Sequence, residues 1–388
     1  MTAPAEALRQ LAASGLLRTL RPLDAAAGAV ISRDGRTLVN FASNDYLGLA
    51  RHPEIEAAFI EGIQRYGAGA TASRLVCGSL PPHQALEAAL AAAKQSAAAL
   101  TFSSGFATAM GAIPVLLGKS DFIILDKLCH ACLVDAARLS GATLRVFPHN
   151  DLPRLARLLA SIRAKSAAAR ILVVTESVFS MDGDLCPLRE IVDLTEVHAA
   201  LLWLDEAHAV GVLGEHGMGL AEALGLQERI AFQMGTLSKA MGLAGGYLAA
   251  SREWIDLLIN RARTFIYSTA PPPALAHAAL SSLQLIGSPQ GQARRAALSA
   301  NIATYQQGRG FLTSNPTPVL PLVLGSNEAA LSASAALECQ GMLVPAIRFP
   351  TVPRGTARLR ISLSAAHSTS AIQQLANAIG KVHDLKTQ

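Results

Sequence analysis

The sequence predicts an α/β fold, with a large domain around a mainly parallel central sheet and a smaller α+β C-terminal domain. Three observations predict it. First, short apolar runs recur: DFIILD (121–126), TLRVFP (143–148), RILVVTES (170–177), ALLWLDEA (200–207) and IAFQMGT (230–236). Apolar runs without alternation are what strands covered on both faces look like. Second, polar, helix-patterned stretches such as DLPRLARLLASIRAK separate those runs, as βαβ units require. Third, the texture changes after Pro271, Pro272 and Pro273. Helix patterns follow, and then the strand-like PLVLG (321–325), MLVPAIR (342–348) and ARLRISL (357–363). The expected division is an N-terminal helix with short strands over 1–45, a large domain over 46–285 and an α+β domain over 286–388.

In chain order, residues 5–20 read as a helix with Leu8, Leu11, Leu16 and Leu20 toward one face. RTLVNF (36–41) reads as a short strand, and HQALEAALAAAK (83–94) as a helix. Residues 95–118 carry no charge and are long enough to cross a bilayer. Their hydrophobicity comes mostly from Ala, a weak driver of insertion, and Gln, Ser, Thr, Gly and Pro interrupt them. They read as a buried segment of a large α/β core.

Composition excludes several classes. The 388 residues are 51% apolar and only 16% charged, which excludes a disordered chain. The net charge of +5 is scattered, with no run of five Lys or Arg. That argues against a nucleic-acid surface and leaves room for an anionic cofactor or substrate. Five cysteines, an odd number, do not form a disulfide framework. LAASGLL (11–17) is too short and mixed for a secretion signal, so a soluble cytoplasmic chain with no membrane partner is expected.

Ligands of parallel sheets bind at the carboxyl ends of the strands. Weight therefore falls on His130, Ser180, Asp205 with His208, and Thr236 with Lys239. DEAH (205–208) together with GKS (118–120) raises the idea of a nucleic-acid helicase. A phosphate loop opens on a glycine, however, and Ile113 stands there, in a loop that is apolar where backbone amides must curl around phosphate. CHAC (129–132) has metal-ligand spacing but no second ligand pair, so no metal is expected, and two ordinary thiols flanking a useful His130 is the better reading. Lys239, in TLSKA, lies between an apolar strand and a Gly-rich turn. A lysine desolvated there has a lowered pKa and forms imines readily.

Together these residues point to pyridoxal 5′-phosphate. Its aldehyde needs Lys239, and its ring nitrogen needs a carboxylate such as Asp205 to stay protonated. Opposite charges about 4 Å apart attract by roughly 4 kcal/mol at an effective dielectric near 20, or on the order of three pKa units before desolvation. His208 could reach the phenolic oxygen, and His130 offers a flat surface for the ring. SSGFATAM (103–110) opens a helix whose amides suit the phosphate, and Thr236 adds a hydroxyl.

Five segments then resemble the α-oxoamine synthases, PLP-dependent enzymes of fold-type I. They are FASNDYLGLA (41–50), TESVFSMDGD (175–184), WLDEAHAVGVLG (203–214), GTLSKAMGLAGG (235–246) and AIRFPTVPRGTARLRISLSAAH (346–367). The resemblance covers nearly the whole chain and implies roles. Lys239 would carry the cofactor and shuttle the α-proton, Asp205 would pair the ring nitrogen, His208 the phenolate oxygen, and His130 would stack on the ring. Ser180 would bond near the phenolic oxygen, and Thr236 with the backbone of Gly105 and Phe106 would hold the phosphate or the adjacent ring. Arg348 would bind the amino-acid carboxylate, with Arg18, Asn44 and Thr351 lining the substrate side. Bland readings stand beside these: Arg18 as an exposed helix residue, Asn44 as a turn cap before YLGLA, Arg348 as a surface strand arginine. Ser268 and Thr269 would reach the neighbouring subunit's cofactor in a homodimer. Within the family, IRFPTVP (347–353) points to members that join L-alanine to a pimeloyl thioester, carried on CoA or acyl carrier protein, rather than to those using glycine or serine. Phe349 departs from the family pattern, which has proline there.

Overall fold

Seven strands form a mixed sheet: β1 (Ala98–Phe102), β2 (Phe122–Asp126), β3 (Thr143–Phe147), β4 (Ile171–Glu176), β5 (Leu201–Asp205), β6 (Phe232–Thr236) and β7 (Gly246–Ala250). This computed structural model describes residues 3–309 and 317–387. The spatial order is β1-β7-β6-β5-β4-β2-β3, and β7 alone runs antiparallel to its neighbours β1 and β6. β4 and β6 are buried at every position, and β2 and β5 at all but their first, which is why their sequences show no alternation. β3 departs from that expectation: Arg145 and Val146 are exposed because the strand lies at the sheet edge.

One side of the sheet packs Leu100, Phe102, Trp203, Phe232 and Leu248 against the helix Gly105–Leu116 and its neighbours. The other packs Ile124, Val173, Leu202 and Leu204 against the helices Leu152–Lys165 and Leu188–Val197. The uncharged stretch 95–118 becomes β1 and the helix Gly105–Leu116, in the interior as its composition implied. No helix among the described residues is long and apolar enough to cross a membrane.

The chain forms two compact units. The sheet and its helices belong to the unit made of 49–180 and 184–295; the other joins 1–48, 181–183 and 296–388. That second unit holds two small sheets. Strands Ala25–Ala27, Val30–Arg33 and Arg36–Asn40 pair in antiparallel fashion, and Met342–Leu343 adds in parallel. Val319–Gly325, Ala357–Ser362 and Ala346–Ile347 form the other. MLVPAIR, expected as one strand, is therefore divided between two sheets at Val344 and Pro345. Proline cannot donate to a ladder, so the run cannot continue unbroken through a sheet interior. The N-terminal helix is also shorter than expected. It spans Pro4–Ala13 and ends at Ser14 and Gly15, the latter at φ +64°. None of its residues is buried, and Leu8, Leu11 and Leu20 are exposed.

Candidate active site

Five strand ends converge on one cavity of about 220 Å³. Seven of the sequence-predicted residues line it: Gly105, Phe106, His130, Asp205, His208, Thr236 and Lys239. Each arrives by a short local route. Asp205 ends β5, and its Oδ1 accepts the amide of Ala207 at 2.9 Å, which turns the chain so that His208 also reaches the cavity. Thr236 ends β6, its Oγ1 donating to the carbonyl of Gly245 at 2.8 Å and lying 2.7 Å from the Ser238 hydroxyl. Lys239 follows three residues later, half-buried, in a turn closed by Gly242 N–H donating to the Lys239 carbonyl at 2.9 Å.

Gly105 and Phe106 begin the helix after β1. Ser104 caps it, its Oγ accepting from Ala107 N at 3.0 Å. The first two amides of a helix have no partner within it, so they face the cavity mouth as ready donors to an anion. The approach is close: a Cβ on Gly246 would stand 2.6 Å from Gly105 N and from Thr108 Oγ1. Only glycine lets β7 pass there.

His130 caps the helix Ala131–Leu139, its Nδ1 accepting from Cys132 N at 3.2 Å and lying 3.0 Å from Cys132 Sγ. An acceptor Nδ1 leaves the proton on Nε2. Desolvation pushes the His130 pKa below its ordinary value, Asp205 opposes that, and Lys239 adds to it. Although the residue is exposed overall, it therefore favours the neutral ring.

Sequence reasoning did not single out Glu176, Ser104, Ala207, Met234 or Ser238, which also line the cavity, as does Cys132, read from the sequence as an ordinary thiol. Glu176 matters most. It ends β4, is 2% exposed, and its Oε1 accepts the backbone N–H of His130. Burial, and then repulsion from Asp205, push its pKa up to about 8. A signal existed: Glu176 is an acid at the carboxyl end of an otherwise uncharged buried run. Asp205 is likewise held above the ordinary carboxylate range, chiefly by burial, with Lys239 opposing.

Behind Asp205, Glu206 is fully buried with Lys94, whose Nζ pairs with Glu206 Oε2 and donates to the Met218 carbonyl at 2.7 Å. Glu206 Oε1 accepts from Ala221 N at 3.0 Å. This pair pins the DEAH turn from behind. The second half of the helicase idea fails locally: Gly118 N–H, in GKS, donates to Asp121 Oδ2 at 2.8 Å, so a carboxylate stands where a phosphate would need to be. Cys129, the other thiol of CHAC, is buried and lies 3.5 Å from the Val174 carbonyl.

Ser180, buried on a hairpin after β4, does not line the cavity, and neither do half-buried Ser268 and exposed Thr269. Thr269 bridges to Ser73. Arg18, Asn44, Arg348 and Thr351 lie in the other unit. There, Arg18 Nη2 approaches the Phe349 carbonyl at 3.5 Å, Arg348 donates to the Gly15 carbonyl, and Thr351 N donates to the Arg348 carbonyl at 3.0 Å. Asn44 sits apart from them, its Oδ1 accepting from Tyr46 and Arg360, both at 3.1 Å.

The donor set fits pyridoxal phosphate. Helix-start amides and hydroxyls suit its phosphate, a lysine suits its aldehyde, and a desolvated carboxylate with a raised pKa suits its cationic ring nitrogen.

Comparison with known proteins agrees. Residues 36–379 match the aminotransferase class I and II family. An 8-amino-7-oxononanoate synthase from Anaeromyxobacter dehalogenans is 48% identical over 379 residues, covering 97% of this chain and 94% of that protein. One from Geobacter sulfurreducens is 45% identical, covering 97% and 96%. Among solved structures, a serine palmitoyltransferase from Sphingomonas wittichii superposes with TM-score 0.91 at 30% identity, over 99% of this chain and 96% of that one. An 8-amino-7-oxononanoate synthase from Francisella tularensis superposes with TM-score 0.75 at 27% identity, over 90% and 99%.

Proposed function

The chain belongs to the aminotransferase class I and II family, among the 8-amino-7-oxononanoate synthases, and from that membership we propose that it joins L-alanine to a pimeloyl thioester. It is a PLP-dependent acyltransferase of biotin biosynthesis. The products of the proposed reaction are 8-amino-7-oxononanoate, CO2 and the free thiol of CoA or acyl carrier protein. The observation that carries the reading is the meeting of Lys239, Asp205, His208, His130 and a helix start in one cavity.

Bound there, pyridoxal phosphate supplies an aldehyde that takes the amino group of the substrate and a cationic ring that draws electrons from its α-carbon. The remaining work falls to the chain. Lys239 Nζ would hold the aldehyde and would serve as the base for the α-proton of the substrate. Asp205 keeps the ring nitrogen protonated, because a buried carboxylate gains most from an adjacent cation. His208 would hold the phenolic oxygen, and His130 would cover the ring face with its neutral imidazole. Gly105 and Phe106 amides, with Thr236, anchor the phosphate. Arg348, whose fork matches a carboxylate, would bind the carboxylate of alanine, and Arg18, Asn44 and Thr351 would meet the rest of the substrate. Ser180 would bond near the phenolic oxygen, and Ser268 with Thr269 would reach a partner's cofactor in a cytoplasmic homodimer.

The test is a visible spectrum of purified protein with PLP, titrated in turn with L-alanine, glycine and L-serine. The expected result is a yellow band that responds most strongly to L-alanine. A response to glycine or serine alone would move the chain elsewhere among the α-oxoamine synthases.

A further inference from the structure

His149 lies between two carboxylates. Its Nδ1 is 3.0 Å from Asp126 Oδ1 and its Nε2 is 2.7 Å from Asp184 Oδ2. A carboxylate oxygen faces each ring nitrogen, an arrangement that an imidazolium satisfies by donating from both. Phe179 packs against the ring nearly at a right angle, with the ring centroids 4.3 Å apart. Asp126 and Asp184 together hold its pKa up to about 10 against the opposing effect of burial.

The two carboxylates belong to different parts of the site. Asp126 ends β2 and shapes the turn that leads to His130: its Oδ1 accepts from Leu128 N at 2.8 Å, its carbonyl from Cys129 N at 3.2 Å, and its Oδ2 from Asn150 N at 2.9 Å. Asp184 closes the hairpin that carries Ser180, its carbonyl accepting from Phe179 N at 3.0 Å beside the Val178–Leu185 bridge. Asn150 Nδ2 reinforces the same junction, donating to Asp184 Oδ2 and to the Leu185 carbonyl, both at 3.2 Å. One cation thus ties the turn that delivers the ring-stacking histidine to the hairpin that follows Glu176.

We propose that His149 is a positioning residue for the cofactor: as the shared cation of Asp126 and Asp184, it fixes the turn that carries His130 against the hairpin that follows Glu176, so that His130 and Glu176 keep their places in the cavity wall. This inference rests on the PLP reading. His149 itself touches neither cavity nor cofactor and acts through its two carboxylates.

The experiment measures PLP affinity of the apo-protein, the induced visible circular dichroism of bound PLP, and the melting temperature. It compares wild type, His149→Gln, Asp184→Asn and the double variant. His149→Gln should weaken PLP ten- to a hundredfold and reduce the induced signal. The double variant should be no worse than His149→Gln, because both break one bridge. Asp184→Asn leaves the imidazole one carboxylate partner, so its pKa falls. Cofactor affinity in that variant, relative to wild type, should then drop as pH rises from 7 to 9. Variants with wild-type PLP affinity and induced signal would overturn the inference, whatever their melting temperatures. If His149→Gln does not fold, Asp184→Asn alone decides, and a flat affinity ratio across that pH range overturns it. Wild-type protein that binds no PLP would defeat the cofactor reading itself, a result distinct from failure of the bridge.

Discussion

Glu176 and Asp205 stand in register at the carboxyl ends of neighbouring parallel strands, and both line the same cavity. Side chains in register on adjacent parallel strands share a face, so two buried acids are forced together. Like charges cannot both ionise cheaply in such a place. Asp205 has Lys239 and the Ala207 amide to favour its anion, whereas Glu176 carries the proton to about pH 8. The pairing gives the site one buried negative charge rather than two when it receives a cationic ring.

The Glu176 proton makes apo-protein stability depend on pH. The folded pKa of about 8 lies above the ordinary value of 4.5, so the folded state binds the extra proton between them. Its stabilising contribution is complete below pH 4.5 and is lost as pH rises toward 8. Glu176→Gln removes this slope. Urea unfolding from pH 5 to 9 should show wild-type apo-protein losing about 2 kcal/mol relative to the variant, after discounting for coupling between the two acids.

Asp205→Asn should leave the fold intact and remove the anion proposed to keep the ring nitrogen charged. The expected cost is about a thousandfold in turnover, from an ion pair of roughly 4 kcal/mol at an effective dielectric near 20. Lys239→Ala should go further and abolish both turnover and the yellow band. Steady-state kinetics with L-alanine and a pimeloyl thioester checks both, and near-normal turnover in the lysine variant would remove its assignment.

Lys94 and Glu206, both wholly buried, form the support behind Asp205. Lys94→Met strands the Glu206 carboxylate and should cost about 3–5 kcal/mol in denaturant unfolding. Adding Glu206→Leu should recover much of that loss, because no unpaired charge then remains. A Lys94→Met variant as stable as wild type would contradict the pairing.

Gly246→Ala places a methyl group 2.6 Å from Gly105 N. Backbone must move, at an expected cost of about 1–3 kcal/mol. Since the displaced amide starts the helix proposed to face the phosphate, apo-protein should also bind PLP, and even inorganic phosphate, several-fold more weakly. Isothermal titration with each ligand reads both effects.

Strands that need no neighbour to explain them were legible before any folding was considered. β2, β4, β5 and β6 are legible because a strand covered on both faces must be apolar at consecutive positions. The chemical types at their ends were legible too. Lys239, Asp205, His208, His130 and Thr236 stand out because a lysine, an acid and hydroxyls that follow apolar runs are costly unless used. Tertiary structure decided everything that depends on which elements meet. The antiparallel β7 beside β1, the exposed β3 at the edge and the division of 342–347 between two sheets follow from pairing partners that no local pattern reports. It also made Glu176 significant. In the sequence Glu176 is one acid after a strand; beside Asp205 and under the His130 amide it becomes a proton held inside the site. A periodic pattern says which face is buried. Desolvation and repulsion between two charges depend on a neighbour 29 positions away, and only folding brings that neighbour near.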